Sequence, residues 1–151
     1  MSRLITKEGL KKLKDELEER RTKVRQEIAQ AIKEAKEQGD LSENAEYSEA
    51  KRQQNENETR IAELEMIIKD SQVVERNDKS KGIQMGSKVK VKFNGSEMEF
   101  QIVGSNEADP GNFKISNESP MGKAFMDKER GDKIEVETPG GRVKYSILDV
   151  K

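Results

Sequence analysis

Between residues 6 and 38 the apolar positions Leu10, Leu13, Leu17, Val24, Ile28, Ala31, Ile32 and Ala35 return at helical spacing. No Pro interrupts them, and Gly occurs only at Gly9, within the first turn. Side chains three and four apart share one face of a helix, so the spacing predicts a single long amphipathic helix. Thr6 offers its N-cap with Glu8 as early negative charge, and Gly39 offers a left-handed stop. Unbroken, about 32 residues rising about 1.5 Å each give roughly 48 Å. A second helix follows at once: Tyr47, Ala50, Gln54, Asn57, Ile61, Leu64 and Ile68 alternate steps of three and four, which is an a/d heptad seam. Only residues 39–42 join the two helices, so they must run antiparallel as a hairpin. Folding the ladder about Asp40 and Leu41 sets Leu13 near Ile68, Leu17 near Leu64, Ile28 near Gln54 and Ala35 near Tyr47. Gln54 and Asn57 make the middle of the seam partly polar.

From residue 75 to 82 periodicity disappears and no apolar residue occurs, which marks a domain boundary. Beyond it the period becomes two. Val89, Val91 and Phe93 alternate with polar residues, Asn94-Gly95 signals a hairpin turn, and Met98, Phe100 and Ile102 alternate on the far side. Ile134 and Val136, then Pro139-Gly140-Gly141, then Val143, Tyr145 and Ile147 repeat the arrangement. A short helix is expected after Pro120, through Ala124, Phe125 and Met126. The fold class is therefore α+β: a coiled-coil hairpin in residues 1–75, a linker in 76–82, and a small twisted sheet with one short helix in 83–151.

With 39% charged and 31% hydrophobic residues, much of the 151-residue chain must be surface, as a long exposed helix requires. Lys plus Arg (29) nearly cancels Asp plus Glu (30), so any contact with nucleic acid has to be local. Neither Cys nor His occurs, which excludes disulfides and argues against zinc and triad-type nucleophilic catalysis. No apolar run reaches the length of a membrane span, and the protein is expected in the cytoplasm, with no membrane partner.

The residues best suited to chemistry sit at the hairpin tip, Gly39-Asp40-Leu41-Ser42-Glu43-Asn44-Ala45-Glu46-Tyr47. One reading makes Asp40 the N-cap of the second helix with Glu43 at its third position, a capping box in which both charges suit the helix dipole. The other takes two carboxylates on one face of a protruding turn as a partial metal site. Two acids cannot fill the octahedral shell of Mg2+, so the remaining ligands would come from another protein. Phosphodiester chemistry with two metals would suit such a completed site. Behind the tip, Lys33 and Lys36 on the first helix and Lys51 and Arg52 on the second form a cationic collar. It is either a solvated face or a seat for a phosphate backbone. Gly122-Lys123 lacks the other elements of a phosphate loop.

The tip sequence resembles the signature of the bacterial Gre transcript-cleavage factors. Thr6-Lys7-Glu8-Gly9-Leu10, residues 32–35, Glu107-Ala108-Asp109, Ser119-Pro120-Met121-Gly122-Lys123-Ala124 and Glu137-Thr138-Pro139-Gly140-Gly141 extend the resemblance over nearly the whole chain. The resemblance implies a hairpin inserted through the secondary channel of RNA polymerase and an FKBP-like C-terminal domain docked on the channel rim. It further implies that Asp40 and Glu43 help hold the polymerase's second Mg2+, with no metal bound by the free protein. Lys36 and Lys51 match positions that contact extruded RNA, with Arg52 beside them, and Ser119, Pro120, Met121, Gly122 and Lys123 match part of the docking surface. The expected partners are the polymerase and the nascent RNA 3′ end in the elongation complex. The protein is expected to act as a monomeric accessory that stimulates cleavage of backtracked RNA and is not itself an enzyme. An inhibitory paralogue would carry extra tip acids, and a packing adaptor would leave the tip free to vary. One departure is Asp127 before Lys128, where the family usually has Gly.

Overall fold

The computed structural model describes residues 3–40, 44–77 and 79–151. Two compact units emerge: Lys11–Asp70 form one, and residues 3–10 join Ser71–Lys151 in the other.

In the first unit the expected hairpin is present. Helix α1 (Lys7–Glu19) passes through a π-helical turn (Arg20–Val24) into α2 (Arg25–Glu37), and α3 (Ala45–Asp70) returns. Thr6 caps α1 as its type predicts, its hydroxyl accepting from the Gly9 N–H at 3.1 Å. Leu17, Ile61 and Leu64 are buried together, with Leu13 and Ile68 packed on them, which is the register expected from the ladder. Each such Leu or Ile contributes about 1.5–3 kcal/mol by leaving water.

The π turn was not expected. A single helical pattern accommodates an extra residue per turn without changing which residue types occur, so periodicity does not reveal it. The Thr22 hydroxyl donates to the Glu18 carbonyl (2.8 Å), a back-bond that loosens the regular ladder. Facing the turn, the seam is polar and imperfectly filled. Clefts of about 280 and 220 Å³ flank it, both reaching Ile28 and Asn57.

A carboxylate joins the helices here. Glu16 accepts from Arg60 (Nε 2.9 Å, Nη2 3.0 Å) and from Arg20 Nε (2.7 Å). The Arg60 hydrogen bond first, then Arg20, pull the Glu16 carboxyl from 4.5 to about 2, against the opposing effect of partial burial. A depressed folded-state pKa gives stability that is complete above the unfolded value and is lost as pH falls toward the folded one. Hairpin melting temperature should therefore drop between about pH 5 and about pH 2, by the equivalent of about 1 kcal/mol after allowing for solvent screening. Glu16→Gln should flatten that part of the profile, as circular dichroism melts would show.

The second unit holds a five-stranded sheet in the order β5-β4-β3-β7-β6, built from β3 (Lys88–Phe93), β4 (Ser96–Val103), β5 (Lys114–Ser116), β6 (Lys133–Thr138) and β7 (Gly141–Val150). All pairs are antiparallel except β4 with β5. The two-residue turn Asn94-Gly95 has φ of +49° and +79°, the positive pair that a tight hairpin demands and that Asn and Gly adopt at least cost. Val89, Val91, Phe100, Ile102, Ile134, Val136 and Ile147 supply the buried face, and α4 (Pro120–Phe125) covers it with the fully buried Phe125. β5 and a second, two-stranded sheet were not anticipated. In the latter, β1 (Arg3–Ile5) runs parallel to β2 (Ser71–Val73), with Leu4 opposite Gln72. Beside it, Glu107 accepts from the backbone N–H of Thr6 (2.9 Å) and Gly104 (3.0 Å) and from the Thr6 hydroxyl.

Candidate functional site

At the tip the side chain of Asn44 ties the two helices together. Its amide nitrogen donates to the Ala35 carbonyl at the end of α2 (2.7 Å), and its amide oxygen accepts from the Tyr47 N–H in the first turn of α3 (3.1 Å). Asn44 is thus the N-cap of α3, which starts at Ala45. The capping-box reading of Asp40 is corrected accordingly: Asp40 lies before the helix, exposed, after Gly39 with φ of +133°. Glu43, with Leu41 and Ser42, lies outside the described residues. Asn44 had its own signal, since Asn ranks with Asp as an N-cap. Asp40 was favoured because Glu43 follows it at the capping-box spacing.

The four collar residues are all exposed but differ in engagement. Among the described residues no ion pair is formed by Lys33, Lys36 or Lys51, and the Lys51 ammonium donates to the Gln54 side chain at 2.9 Å. Arg52 is held between Glu49 and Glu56, one turn to either side. These carboxylates raise the Arg52 pKa, Glu49 foremost, and the Arg52 hydrogen bond brings Glu49 down to about 2. Lys36 and Lys51 therefore present charge to solvent, whereas Arg52 would have to exchange a carboxylate before taking a phosphate. No group of three or more acidic side chains suited to hold a metal is gathered among the described residues.

In the other unit, Ser119 caps α4, its hydroxyl accepting from the Gly122 N–H (3.0 Å) and donating to the Ser116 carbonyl (2.7 Å). The cap buries Gly122 and leaves Pro120 and Lys123 exposed, while Met121 lies half-buried against the core. Asp127 takes φ of +67°, which Asp tolerates better than most side chains, and its N–H donates to the Ile83 carbonyl at 2.9 Å.

Two family models match the chain. Transcription elongation factor, N-terminal, covers residues 3–73, and Transcription elongation factor, GreA/GreB, C-term, covers residues 78–151. The chain belongs to the GreA/GreB family.

Among its relatives in that family, the transcription elongation factor GreA of Clostridium perfringens strain SM101 is 50% identical over 98% of this chain and 96% of its own length. GreA of Thermoanaerobacter pseudethanolicus is 48% identical over the same shares. GreA of Clostridium botulinum strain Eklund 17B is 51% identical over 98% of this chain and 94% of its own. Of solved structures, the GreA factor homolog Gfh1 of Thermus thermophilus aligns at 28% identity over 100% of this chain and 99% of that one, with a TM-score of 0.45. Stimulation of transcript cleavage during elongation, without enzymatic activity of its own, is the function that membership of the GreA/GreB family supports.

Proposed function

We propose that the protein enters the secondary channel of bacterial RNA polymerase with its hairpin and rescues arrested complexes by promoting cleavage of the backtracked RNA 3′ end. Asp40 and Glu43 are the acids delivered to the polymerase active site. The observation that supports this reading is the Asn44 cap: Asn44 starts α3 and ties it to the end of α2, fixing the short turn in which both acids lie. Two carboxylates fit Mg2+ only in a shell completed by the polymerase, since the ion prefers near-octahedral oxygen coordination. When bound there, Mg2+ would activate water and stabilise the leaving oxygen. The task of the chain itself is to hold the two acids at the end of a stiff arm and to seat the RNA beside them.

That seat is formed by Lys36 and Lys51, joined by Arg52 when it leaves its acidic neighbours. The three would track the phosphate backbone of extruded RNA without reading bases. Docking falls to the domain of residues 83–151, which we read as FKBP-like, through Ser119, Pro120, Met121, Gly122 and Lys123 on the channel rim. A hairpin in residues 1–75 and a linker in 76–82 complete the division of labour. It is supported by the boundaries of the two family models, at 3–73 and 78–151. We place the working protein in the cytoplasm as a monomer. Among the described residues no helix is long and apolar enough to cross a membrane.

The test is a halted, backtracked elongation complex incubated with the protein, in which shortened RNA is the expected product. In the same assay Lys36→Ala, Lys51→Ala should lower cleavage about tenfold with polymerase binding unchanged. Added salt should shrink the wild-type advantage, because phosphate contacts release counterions. Wild-type cleavage by the double variant at moderate salt would reduce the collar to a solvated face.

A further inference from the structure

Among the described residues of Lys11–Asp70, Asn57 is the only one that is both polar and buried, 4% exposed in the middle of the heptad seam. Its amide oxygen accepts from Arg20 Nη1 (3.1 Å), and its amide nitrogen donates to the Arg20 backbone carbonyl (3.1 Å). That carbonyl already accepts the Arg25 N–H across the π turn. The Arg20 guanidinium continues to Glu16, and Glu16 to Arg60 back on α3. Two residues from each side of the hairpin are therefore joined in one hydrogen-bonded chain.

Apolar packing is less complete at this height, where clefts flank the seam on both sides. Toward the base of the hairpin, Leu13, Leu17, Ile61, Leu64 and Ile68 are all aliphatic, and slipped heptad ladders of this kind still place apolar against apolar. The Asn57–Arg20 pair makes both of its hydrogen bonds at a single stagger, and the two-bond Arg60–Glu16 contact next to it continues the same link. A buried Asn at an a or d position is known in coiled coils to specify register at a cost in stability.

We propose that Asn57 is a positioning residue for transcript cleavage: with Arg20 it pins the axial stagger of the hairpin, and so the height at which Asp40 is presented. The proposal rests on the function proposed above. Slipping one helix by a turn moves it about 5.4 Å along its axis. Misplacement of a catalytic group by about 1 Å already costs about 10²-fold in rate.

Asn57→Leu separates this role from a merely structural one. Loss of the side chain orphans neither partner, because the Arg20 carbonyl retains the Arg25 N–H and the guanidinium retains Glu16. Replacing buried polar pairs by hydrophobes is often neutral or stabilising. The expected result is a melting temperature at or above wild type, a half-saturating concentration on the backtracked complex within about twofold, and a maximal cleavage rate about 10- to 100-fold lower. A stagger readout independent of the polymerase comes from nitroxide labels at the exposed positions Gln30 and Gln53. The wild-type background should give one narrow distance, and Asn57→Leu a broadened or displaced one. Arg20→Met, which keeps the Asn57 bond to the backbone carbonyl, should show the same two effects at smaller size.

A stable Asn57→Leu protein with wild-type rate and one unchanged distance overturns the proposal. So does a rate that falls only with the folded fraction. If the wild-type protein stimulates no cleavage, it is the proposed function that fails, and the label distances alone then decide the stagger.

Discussion

Asp40→Asn combined with Glu43→Gln should leave a folded, polymerase-binding protein whose stimulated cleavage is lower by about three orders of magnitude. That factor corresponds to about 4 kcal/mol of transition-state stabilisation at 1.36 kcal/mol per tenfold. Both substitutions keep side-chain size and remove the charge that a shared Mg2+ shell requires. Because Asn44 caps α3, and because Asn and Gln keep the hydrogen-bonding capacity of the acids they replace, melting should shift by the equivalent of no more than about 0.5 kcal/mol, the range of ordinary surface changes. Raising Mg2+ should partly rescue the single Asp40→Asn variant. Normal RNA cleavage by the folded, bound double variant would falsify the assignment of the tip acids.

Gly122→Ala is expected to be the most damaging single methyl in the C-terminal unit. A Cβ there would lie 1.9 Å from the Ser116 carbonyl oxygen and 2.9 Å from its carbon. Both are backbone atoms that cannot rotate away, and the Ser119 cap ties the same segment to the Ser116 carbonyl. Overpacking of this kind costs about 1–3 kcal/mol, up to about 10²-fold in the folding equilibrium. Because α4 and its cap carry the proposed docking surface, polymerase affinity should fall along with melting temperature. Lys123→Ala, on the exposed side of the same helix, should change affinity alone. A Gly122→Ala protein that melts with wild type would show that the chain relaxes at this point.

Signals that act over a few residues were the ones legible in advance. The Thr6 cap, the Asn94-Gly95 turn and the helix after Pro120 follow from side chains within a turn of one another, and the Leu17–Leu64 register follows from two local heptad patterns joined by a short tip. What escaped depends on distant partners or on competition between equals. Asp40 and Asn44 are comparable caps four residues apart, and a capping-box Glu tipped the choice the wrong way. β1 and β2 have three residues each, too few to show a period, and they meet across the length of the hairpin. Glu107 could be recognised as part of a motif, but not as the carboxylate that receives the Thr6 N–H from the other end of the sequence. The polar seam at Asn57 was visible; the π turn that it braces was not.

The pairing of β1 with β2 also bears on the order in which the chain folds. Ile5 and Val73 can meet only by closing a loop of more than sixty residues, which in a disordered chain costs on the order of 4 kcal/mol in entropy. A formed hairpin returns the chain to its starting point and removes most of that cost, so the small parallel sheet is a product of hairpin folding. The Val74 N–H, bonded to the Ile5 carbonyl at 3.0 Å, is in that sense a reporter on the whole arm. Its protection from solvent exchange follows the integrity of helices whose far end lies at the tip.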